Sequence, residues 1–255
     1  MTTAKAEKKA LTDAQLMRYS RHIMMPSIDI DGQEALWNSN ILIIGMGGLG
    51  CAAAQYLAAS GVGKLTLVDD DEVEHSNLQR QVLHVEQSVG LSKTESAKLT
   101  LATINSEVSI HCINKRLNDT ELEKAIKAHT LVLDCTDNLT SRNQINRLCH
   151  QTNVPLVSGA AIRMEGQVAT FTMQHNHPCY HCLSHLFGEQ TLTCSEAGIL
   201  SPVVGLVGCI QATEAIKFIT QIGDTLSGKI LVIDAATMQF NQFAITKHPA
   251  CNVCS

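Results

Sequence analysis

A strand, a glycine turn and a helix of small residues follow one another at residues 41–59, and this stretch limits the possible folds more than any other. It reads ILII, then GMGGLG, then CAAAQYLAA. In open α/β proteins such a turn presents backbone N–H groups and a helix N-terminus to a phosphate. A second strand ends at Asp69, about 20 residues after Gly50, which is typical of an acid that binds a ribose. The pattern predicts a nucleotide site; the alternative is a glycine turn that serves packing alone.

Segments typical of strands and helices alternate along the first two thirds of the chain. This alternation predicts an α/β fold with a Rossmann-like, doubly wound, mostly parallel sheet. The later segments GQVATFTM and KILVIDAATMQFNQFAI alternate in polarity, which indicates that the sheet continues into antiparallel strands. Strands are expected at 41–44, 65–69, 108–113, 131–135 and 155–158, and helices at about 11–25, 49–60, 92–103, 119–128, 140–152 and 203–220.

The chain of 255 residues is long enough for one large domain. We expect a disordered lead over residues 1–10 and a single domain over residues 11–255. Within that domain, about 35–165 form the nucleotide-binding part and about 166–255 the antiparallel part. The segment 183–200 is rich in Gly, Thr and Ser, and we expect it to be a mobile loop.

Composition excludes several classes of partner. The net charge of −5 and the sequence pI of about 6.1 argue against binding to nucleic acid. Apolar runs are expected to fall short of the roughly 20 residues of a membrane span. The N-terminal MTTAKAEKKALTD lacks the apolar stretch of a secretory signal. We therefore expect a cytoplasmic protein with neither a nucleic-acid nor a membrane partner.

Polar residues after the second strand bear on which nucleotide binds. Three carboxylates crowd together at Asp69–Asp71, where Mg²⁺ or cationic side chains would stabilise them. Asn77, Arg80 and Lys93 follow, and the two cations among them, Arg80 and Lys93, are suited to neutralise the charge of a leaving pyrophosphate. These residues favour a polyphosphate ligand over a hydride-transfer cofactor. The alternative is a solvated charged face, which is the better interpretation of Lys93 taken alone.

The segment LVLDCTDN predicts another part of the same site. It is typical of a buried strand whose carboxyl end carries Asp134, Asp137 and Asn138. Ligands of open α/β sheets bind at this end of the strands. A carboxylate there can hold Mg²⁺ between phosphates, so we assign that role to Asp137. The alternative is that Asp137 caps the helix that begins near Thr140.

Two C-x-x-C pairs stand apart from the other cysteines of the chain. They are CYHC at 179–182 and CNVC at 251–254. In a reducing compartment such pairs indicate a metal more than disulfides, and four thiolates complete a closed, structural Zn²⁺ site. The predicted ligands are Cys179, Cys182, Cys251 and Cys254. Four nearby histidines could replace a cysteine, although each is more typical of a surface residue: His175, His177, His181 and His185.

Two further features each allow a functional and a structural interpretation. Cys194 lies in the predicted loop and is a candidate nucleophile, or else an unreactive thiol. Arg18 and Arg21 lie one turn apart on the first predicted helix. They either form an ordinary charged face, or one of them reaches a phosphate in a partner subunit.

With these residues assembled, the chain resembles the family of enzymes that activate ubiquitin-like proteins. The resemblance covers about residues 12–255. SGAAIRMEGQ and FGEQTLTC favour the molybdopterin branch of the family over the thiamine branch. The segments that carry the resemblance are RYSRHI, DGQEALW, GMGGLGCAAAQYLA, SNLQRQ, LVLDCTDN, PLVSGAAIRMEGQ, PCYHCL, FGEQTLTCSEAG and CNVC.

The resemblance implies an adenylyltransferase. Such enzymes bind Mg·ATP and the C-terminal Gly-Gly tail of a small β-grasp sulfur-carrier protein, which in the molybdopterin branch is the small subunit of molybdopterin synthase. The tail carboxylate attacks the α-phosphate and pyrophosphate leaves. A sulfur donor, expected to be a separate protein because the chain stops soon after Cys254, then supplies a thiocarboxylate. The resemblance also implies a homodimer in which Arg21 enters the neighbouring protomer's site.

The same resemblance implies roles for single residues. It leaves the role of Cys194 open, since some relatives form a thioester or persulfide adduct at that position, and it makes about 166–255 the zinc-bearing and partner-binding part. The four paired cysteines match the zinc ligands of the family. The catalytic residues are expected to be Arg21, Arg80, Lys93 and Asp137. The residues expected to bind the nucleotide are Gly45, Gly47, Gly48, Gly50, Asp69, Ser76, Asn77, Leu78, Gln79, Arg80, Lys93, Asp137 and Asn138.

Three other functions stay open on sequence. The substrate could be the sulfur carrier of the thiamine pathway. The chain could also be an NAD-dependent oxidoreductase, although this leaves Asn77, Arg80 and the cysteine pairs without a role. The third possibility is a non-catalytic zinc scaffold that keeps a vestigial nucleotide-binding fold.

Overall fold

An eight-stranded sheet runs through the protein, whose structure is a computed structural model that describes residues 9–187 and 197–255. The strand order is β3-β2-β1-β4-β5-β6-β7-β8. The strands are β1 (Asn40–Ile44), β2 (Lys64–Val68), β3 (Ser109–Ile113), β4 (Leu131–Asp134), β5 (Leu156–Ile162), β6 (Glu165–Phe171), β7 (Lys229–Asp234) and β8 (Gln239–Ala244).

The first five strands are parallel, and β6, β7 and β8 join them as antiparallel strands. The predicted fold class is therefore confirmed. The order of the strands reverses between β1 and β4, and ligands of open α/β sheets bind at this position. Ile44 is in register with Val68 on one side and with Asp134 on the other. The residues that follow these three strands therefore lie along one edge of the sheet.

Helices cover both faces of the parallel strands. One apolar core joins the sheet to α4 and α9, and a second joins it to α6, α7 and α8. Because both faces are covered, the three central residues of β1 and the first three residues of β4 are buried and apolar. The helices are α1 (Asp13–Arg18), α2 (Ser20–Ile23), α3 (Asp29–Trp37), α4 (Gly48–Ala59), α5 (Lys93–Ile104), α6 (Asp119–Lys127), α7 (Leu139–Thr152), α8 (Tyr180–Phe187) and α9 (Ser201–Thr220).

The predicted helix over 11–25 is wrong as a continuous element. It begins with the capping box of Thr12 and Gln15 but is interrupted at Tyr19, whose φ of −97° and ψ of 13° are not helical. The Tyr19 side chain is buried, and its hydroxyl accepts a hydrogen bond of 2.8 Å from Asn105 Nδ2. Tertiary contact therefore outweighs the helical periodicity at this residue. Near the lead, Lys9 exchanges hydrogen bonds with Asn38.

The predicted mobile loop over 183–200 is wrong in its first part. Helix α8 extends to Phe187 and packs against α7 in the second apolar core, with Tyr180 and Leu183 buried. The alternation of Cys179, Tyr180 and Leu183 with polar residues is helical, and the Gly- and Thr-rich composition of the following residues concealed it. The rest of the predicted loop, up to 196, lies outside the described residues.

Helix α9 is long and apolar enough to cross a membrane by length and composition, contrary to the expectation that no such run exists. Its contacts are those of a core helix. It packs along α4 and across β5 and β6, and Gln211 and Glu214 are buried within the protein. Gln211 donates to the backbone oxygen of Asp134, and Glu214 accepts from Thr170. These polar contacts lie on the side of the helix that faces the sheet.

The close packing of α9 on α4 gives a direct test of the fold. A Cβ on Gly208 would lie 2.4 Å from the Leu49 backbone oxygen and 2.8 Å from Ala52 Cβ. We expect Gly208→Ala to lower the free energy of unfolding by about 1–3 kcal/mol, the usual effect of overpacking. Gly205 on the same helix is the control, because its Cβ would meet no described atom within 4 Å. Urea unfolding of both variants is the measurement, and equal midpoints would contradict the packing.

Candidate nucleotide site

A cavity of about 460 Å³ opens at the carboxyl edge of the parallel strands, where the strand order reverses. Its wall contains most of the residues that the sequence assigned to a nucleotide: Gly45, Gly47, Gly48, Asp69, Asn77, Arg80, Lys93, Asp137 and Asn138. The cavity lining does not include Arg21, Gly50, Ser76, Leu78 or Gln79. Five separate segments of the chain thus meet at one site.

The glycine loop shapes one wall of this cavity. Gly45 has φ +93°, and a Cβ there would lie 2.8 Å from the Cys135 backbone oxygen. Gly47 is the N-cap of α4, so the free N–H groups of the first helical turn lie at the cavity. A Cβ on Gly50 would lie 1.9 Å from the Gly45 oxygen. Gly50 therefore closes the turn by packing, and its predicted nucleotide role is indirect.

Asp69 ties the second strand to the glycine loop. Its Oδ2 accepts a 2.6 Å hydrogen bond from the Met46 N–H, and its Oδ1 accepts a 2.9 Å bond from the Asp71 N–H. Burial raises the pKa of the Asp69 carboxyl, while the Lys93 ammonium and both N–H donors oppose this rise. The carboxylate thus has a fixed position and further lone pairs, as a ribose hydroxyl would require.

Cationic groups gather beside this carboxylate. The buried Lys93 Nζ lies 2.7 Å from Asp71 Oδ2, so the alternative interpretation of Lys93 as a solvated surface charge is wrong. Arg80 Nη1 donates a 3.0 Å hydrogen bond to the Ser76 backbone oxygen. This contact holds the guanidinium at the cavity, where it can bind a phosphate.

The sequence left two roles open for Asp137, binding of Mg²⁺ and capping of the following helix, and the structure gives the capping role to Asn138. Asn138 is the N-cap of α7, and its Oδ1 accepts a 2.9 Å hydrogen bond from the Ser141 N–H. The capping role proposed as the alternative for Asp137 thus belongs to Asn138. Asp137 is exposed at the cavity and receives a weak 3.4 Å contact from Asn138 Nδ2. Its carboxylate oxygens are available to a hard cation such as Mg²⁺.

Sequence reasoning missed the contribution of the third strand. Lys115 and Arg116 follow β3 and line the cavity. The rule that placed Asp69 and Asp137 at the carboxyl ends of strands also applies to the predicted strand 108–113 and would have found both cations. The apolar part of the wall was missed as well, and it is suited to a purine base: Ile44, Val68, Leu117, Leu122 and Ile145.

A buried hydrogen-bond network supports the glycine loop from behind. His84 Nε2 lies 3.1 Å from the Met46 backbone oxygen, and His84 Nδ1 lies 2.9 Å from Ser96 Oγ. The Cys51 thiol also donates to the Met46 oxygen, at 3.4 Å. Desolvation lowers the pKa of His84 and raises that of Cys51 to about 12. Both groups are therefore neutral at pH 7, and they fix the backbone carbonyl of Met46, the residue whose N–H donates to Asp69.

The lowered pKa of His84 predicts a loss of stability in mild acid. Below about pH 6.5, the ordinary histidine pKa, the unfolded chain binds a proton that the folded protein does not bind. The free energy of unfolding therefore falls as the pH decreases from about 6.5 towards the folded pKa. His129 and His150 have pKa values lowered by burial and add to this effect.

We expect His84→Gln to flatten this pH dependence, since it removes one of the three titrating groups and keeps a donor for Met46. The measurement is urea unfolding of both proteins at pH 7.5 and at about pH 5. A variant that loses as much stability as the natural protein over this interval would show that His84 does not contribute.

The second candidate site is a buried cluster of four cysteines. The Sγ atoms of Cys179, Cys182, Cys251 and Cys254 all lie within 4.8 Å of one another. Two of these separations are 3.7 Å and 3.5 Å, close to the ~3.8 Å edge of a tetrahedron with Zn–S bonds of about 2.3 Å. They are far longer than a disulfide of about 2.05 Å. The donor set therefore fits Zn²⁺.

Polar contacts support two of the four sulfurs. Asn146 Nδ2 lies 3.6 Å from Cys179 Sγ, and the His248 N–H lies 3.4 Å from Cys182 Sγ. Donors of this kind stabilise thiolate ligands. The four-sulfur cluster brings the C-terminal residues against α8.

Arg21 lies away from the cavity of its own chain. It is exposed on α2, where its guanidinium contacts Met24. Arg21 therefore does not line the cavity of its own chain. Its role in the site of the neighbouring protomer stays a prediction. Cys194 lies outside the described residues.

The fold and the cavity define a nucleotide-binding protein of the Rossmann-like α/β class whose site has a strongly charged end. The sequence matches the ThiF family over residues 19–253, and the chain belongs to that family. The resemblance to enzymes that activate ubiquitin-like proteins is thereby confirmed.

Relatives of known function cover nearly the whole chain. The chain is 54% identical to the molybdopterin-synthase adenylyltransferase of Escherichia coli and 52% identical to that of Salmonella typhimurium, in each case over 96% of this chain and 98% of the relative. Among solved structures, E. coli MccB with ATP superposes with a TM-score of 0.80 at 26% identity, over 93% of this chain and 73% of the other.

Proposed function

We propose that this protein is an adenylyltransferase that activates the C-terminal carboxylate of a small sulfur-carrier protein with ATP and releases pyrophosphate. The carrier is the small subunit of molybdopterin synthase, and the reaction belongs to molybdenum cofactor biosynthesis. The sequence identity of 52–54% over almost the full length of two molybdopterin-synthase adenylyltransferases carries this proposal. The cavity, with cations and the exposed Asp137 carboxylate beside a glycine loop, supports it.

The chemistry needs little from the protein beyond position and charge. The attacking carboxylate is already ionised, so no side-chain nucleophile is required. Arg80 and Lys93 stabilise the negative charge that grows on the leaving pyrophosphate, and the helix N-terminus at Gly47 binds phosphate oxygens. Asp69 holds the ribose. Asp137 is the group that would hold Mg²⁺, which neutralises phosphate charge when it is bound.

Two of the cations that line the cavity pair with acids, and two others donate to uncharged oxygens. Lys115 pairs with Glu121, which lies on α6, and Lys93 pairs with Asp71. Arg80 and Arg116 instead donate to uncharged oxygens of Ser76 and Ser141. A triphosphate would supply these guanidinium groups with the anionic oxygens that they prefer. This favours ATP over a dinucleotide.

The free edge of the sheet is our candidate for the carrier's docking surface. Strand β8 ends the sheet and is exposed along its whole length, with Phe240 and Phe243 about half exposed. Aromatic side chains on a free strand are suited to a partner with its own β-sheet. The homodimer, with Arg21 reaching the neighbouring site, and a separate sulfur donor complete the assembly. We place the reaction in the cytoplasm.

Zn²⁺ held by the four cysteines has a structural role in this proposal. Four protein ligands leave no open coordination position for a substrate. The role of the metal is to fix the C-terminal residues against the body of the protein.

Exchange of labelled pyrophosphate into ATP tests the proposal. We expect exchange with the molybdopterin-synthase small subunit and much less with the thiamine-pathway carrier; a preference for the latter would move the substrate to the thiamine branch. A carrier that lacks its last glycine is the control. Binding of the carrier without exchange would favour a scaffold, and turnover of NADH would favour the oxidoreductase.

A further inference from the structure

A buried carboxamide in the wall of the nucleotide cavity has an unused acceptor. Gln81 is 3% exposed and lines the cavity. Its Oε1 is buried and has no hydrogen-bond partner among the described residues. Buried polar atoms are almost always paired, and leaving one unpaired costs about 1–3 kcal/mol. An unpaired acceptor in the wall of a ligand cavity therefore indicates a donor that arrives with the ligand.

The position of Gln81 restricts what that donor can be. Its Nε2 lies 3.8 Å from the point that a Cβ on Gly47 would occupy, and Gly47 is the N-cap of α4. Its neighbour in sequence is Arg80, so the carboxamide lies at the charged end of the cavity. The apolar wall formed by Leu117, Leu122 and Ile145 belongs to other segments. Gln81 is thus beside the groups that would bind phosphate and not among those suited to a base.

Phosphate oxygens accept hydrogen bonds and cannot supply a donor to Oε1. The ribose hydroxyls are assigned to Asp69. The remaining reactant at this end is the peptide whose terminal carboxylate attacks the α-phosphate. Its last backbone N–H is a donor that must enter together with the carboxylate, because only one carbon separates the two groups.

We propose that Gln81 recognises the second substrate by accepting a hydrogen bond from the backbone N–H of its last residue. This inference rests on the proposed adenylation. It makes Gln81 a specificity-determining residue that distinguishes a peptide carboxylate from other carboxylates of the same charge. A secondary amide N–H is required, which glycine provides and an N-alkylated residue does not.

The first experiment replaces Gln81 with methionine, which has a similar shape and no acceptor oxygen. We expect Gln81→Met to lower kcat/KM for the carrier about tenfold, while the KM for ATP changes less than twofold. The melting temperature should stay the same or rise, because the free protein loses an unpaired buried acceptor. Gln151→Met, an exposed position at the end of α7, is the matched control. A lowered melting temperature with unchanged kinetics would overturn the proposal in favour of a structural role.

The second experiment removes the donor instead of the acceptor. A semisynthetic carrier that ends in N-methylglycine keeps its carboxylate and lacks the last N–H. With this carrier we expect the kcat/KM of the natural enzyme to be about tenfold lower than with the unmodified carrier. For Gln81→Met we expect nearly the same kcat/KM with both carriers. Independent losses that multiply would show that Gln81 acts on another group, such as a metal-bound water. If the natural enzyme shows no pyrophosphate exchange with the unmodified carrier, the proposed adenylation itself is wrong. That outcome is distinct from a failure of the Gln81 assignment.

Discussion

Asp137→Ala is expected to abolish most of the activity while leaving the protein folded. We expect pyrophosphate exchange to fall about 100- to 1000-fold, the usual effect of removing one group that stabilises transition-state charge. Stability should change little, because Asp137 is exposed and Asn138, not Asp137, caps α7. Binding of the carrier protein should be retained. Steady-state exchange rates and thermal melting of the same preparation are the measurements.

Glu123→Ala is the matched control for this loss of a carboxylate. Glu123 is a partly exposed acid on α6 that pairs with the exposed Lys127, and surface pairs of this kind contribute little to stability. The control should keep full activity. Near-normal exchange by Asp137→Ala would remove Asp137 from the catalytic residues, and a large fall in its melting temperature would show that the loss of activity is indirect.

Replacing Cys251 and Cys254 together by serine is expected to release the metal and destabilise the protein. Structural zinc has an apparent binding free energy of about 10–16 kcal/mol in small peptides. We therefore expect the double variant to lose bound zinc and several kcal/mol of unfolding free energy. The residues after β8 should become accessible to proteases. Zinc content by elemental analysis and the urea midpoint are the measurements.

Cys209→Ser is the control for this experiment, since Cys209 is a partly exposed thiol on α9 and lies outside the cluster. It should keep one zinc per chain and nearly full stability. The zinc assignment is wrong if the natural protein purifies without the metal from zinc-containing medium. It is also wrong if the double variant retains a full equivalent.

Much of the fold could be predicted because its signals are local. The glycine turn, the buried strands and the change to alternating polarity after residue 165 each depend on neighbours in sequence. Where a distant contact decided the outcome, the prediction failed. Tyr19 interrupts the first helix because its ring is buried and its hydroxyl binds Asn105. Likewise, α8 packs on α7 where the sequence suggested only a loop.

The candidate site shows the same division. Sequence named Asp69, Lys93 and Asp137 because each follows a strand or begins a helix at the carboxyl edge of the sheet. It missed Lys115 and Arg116, which follow β3. It also gave capping of α7 as the alternative role of Asp137, whereas the backbone geometry gives this role to Asn138; both residue types are good N-caps.

By itself, the sequence determined that a phosphate-binding turn follows the first strand of an α/β sheet and that two cysteine pairs can bind a metal. These conclusions depend on glycine conformation, strand periodicity and ligand chemistry, which are properties of short segments. Tertiary structure decided that the two cysteine pairs meet, that the Gln81 oxygen has no partner among the described residues and that Asn138, and not Asp137, caps α7. The physical reason is that hydrogen-bond satisfaction and burial depend on residues distant in sequence, and these come together only when the sheet and its helices pack.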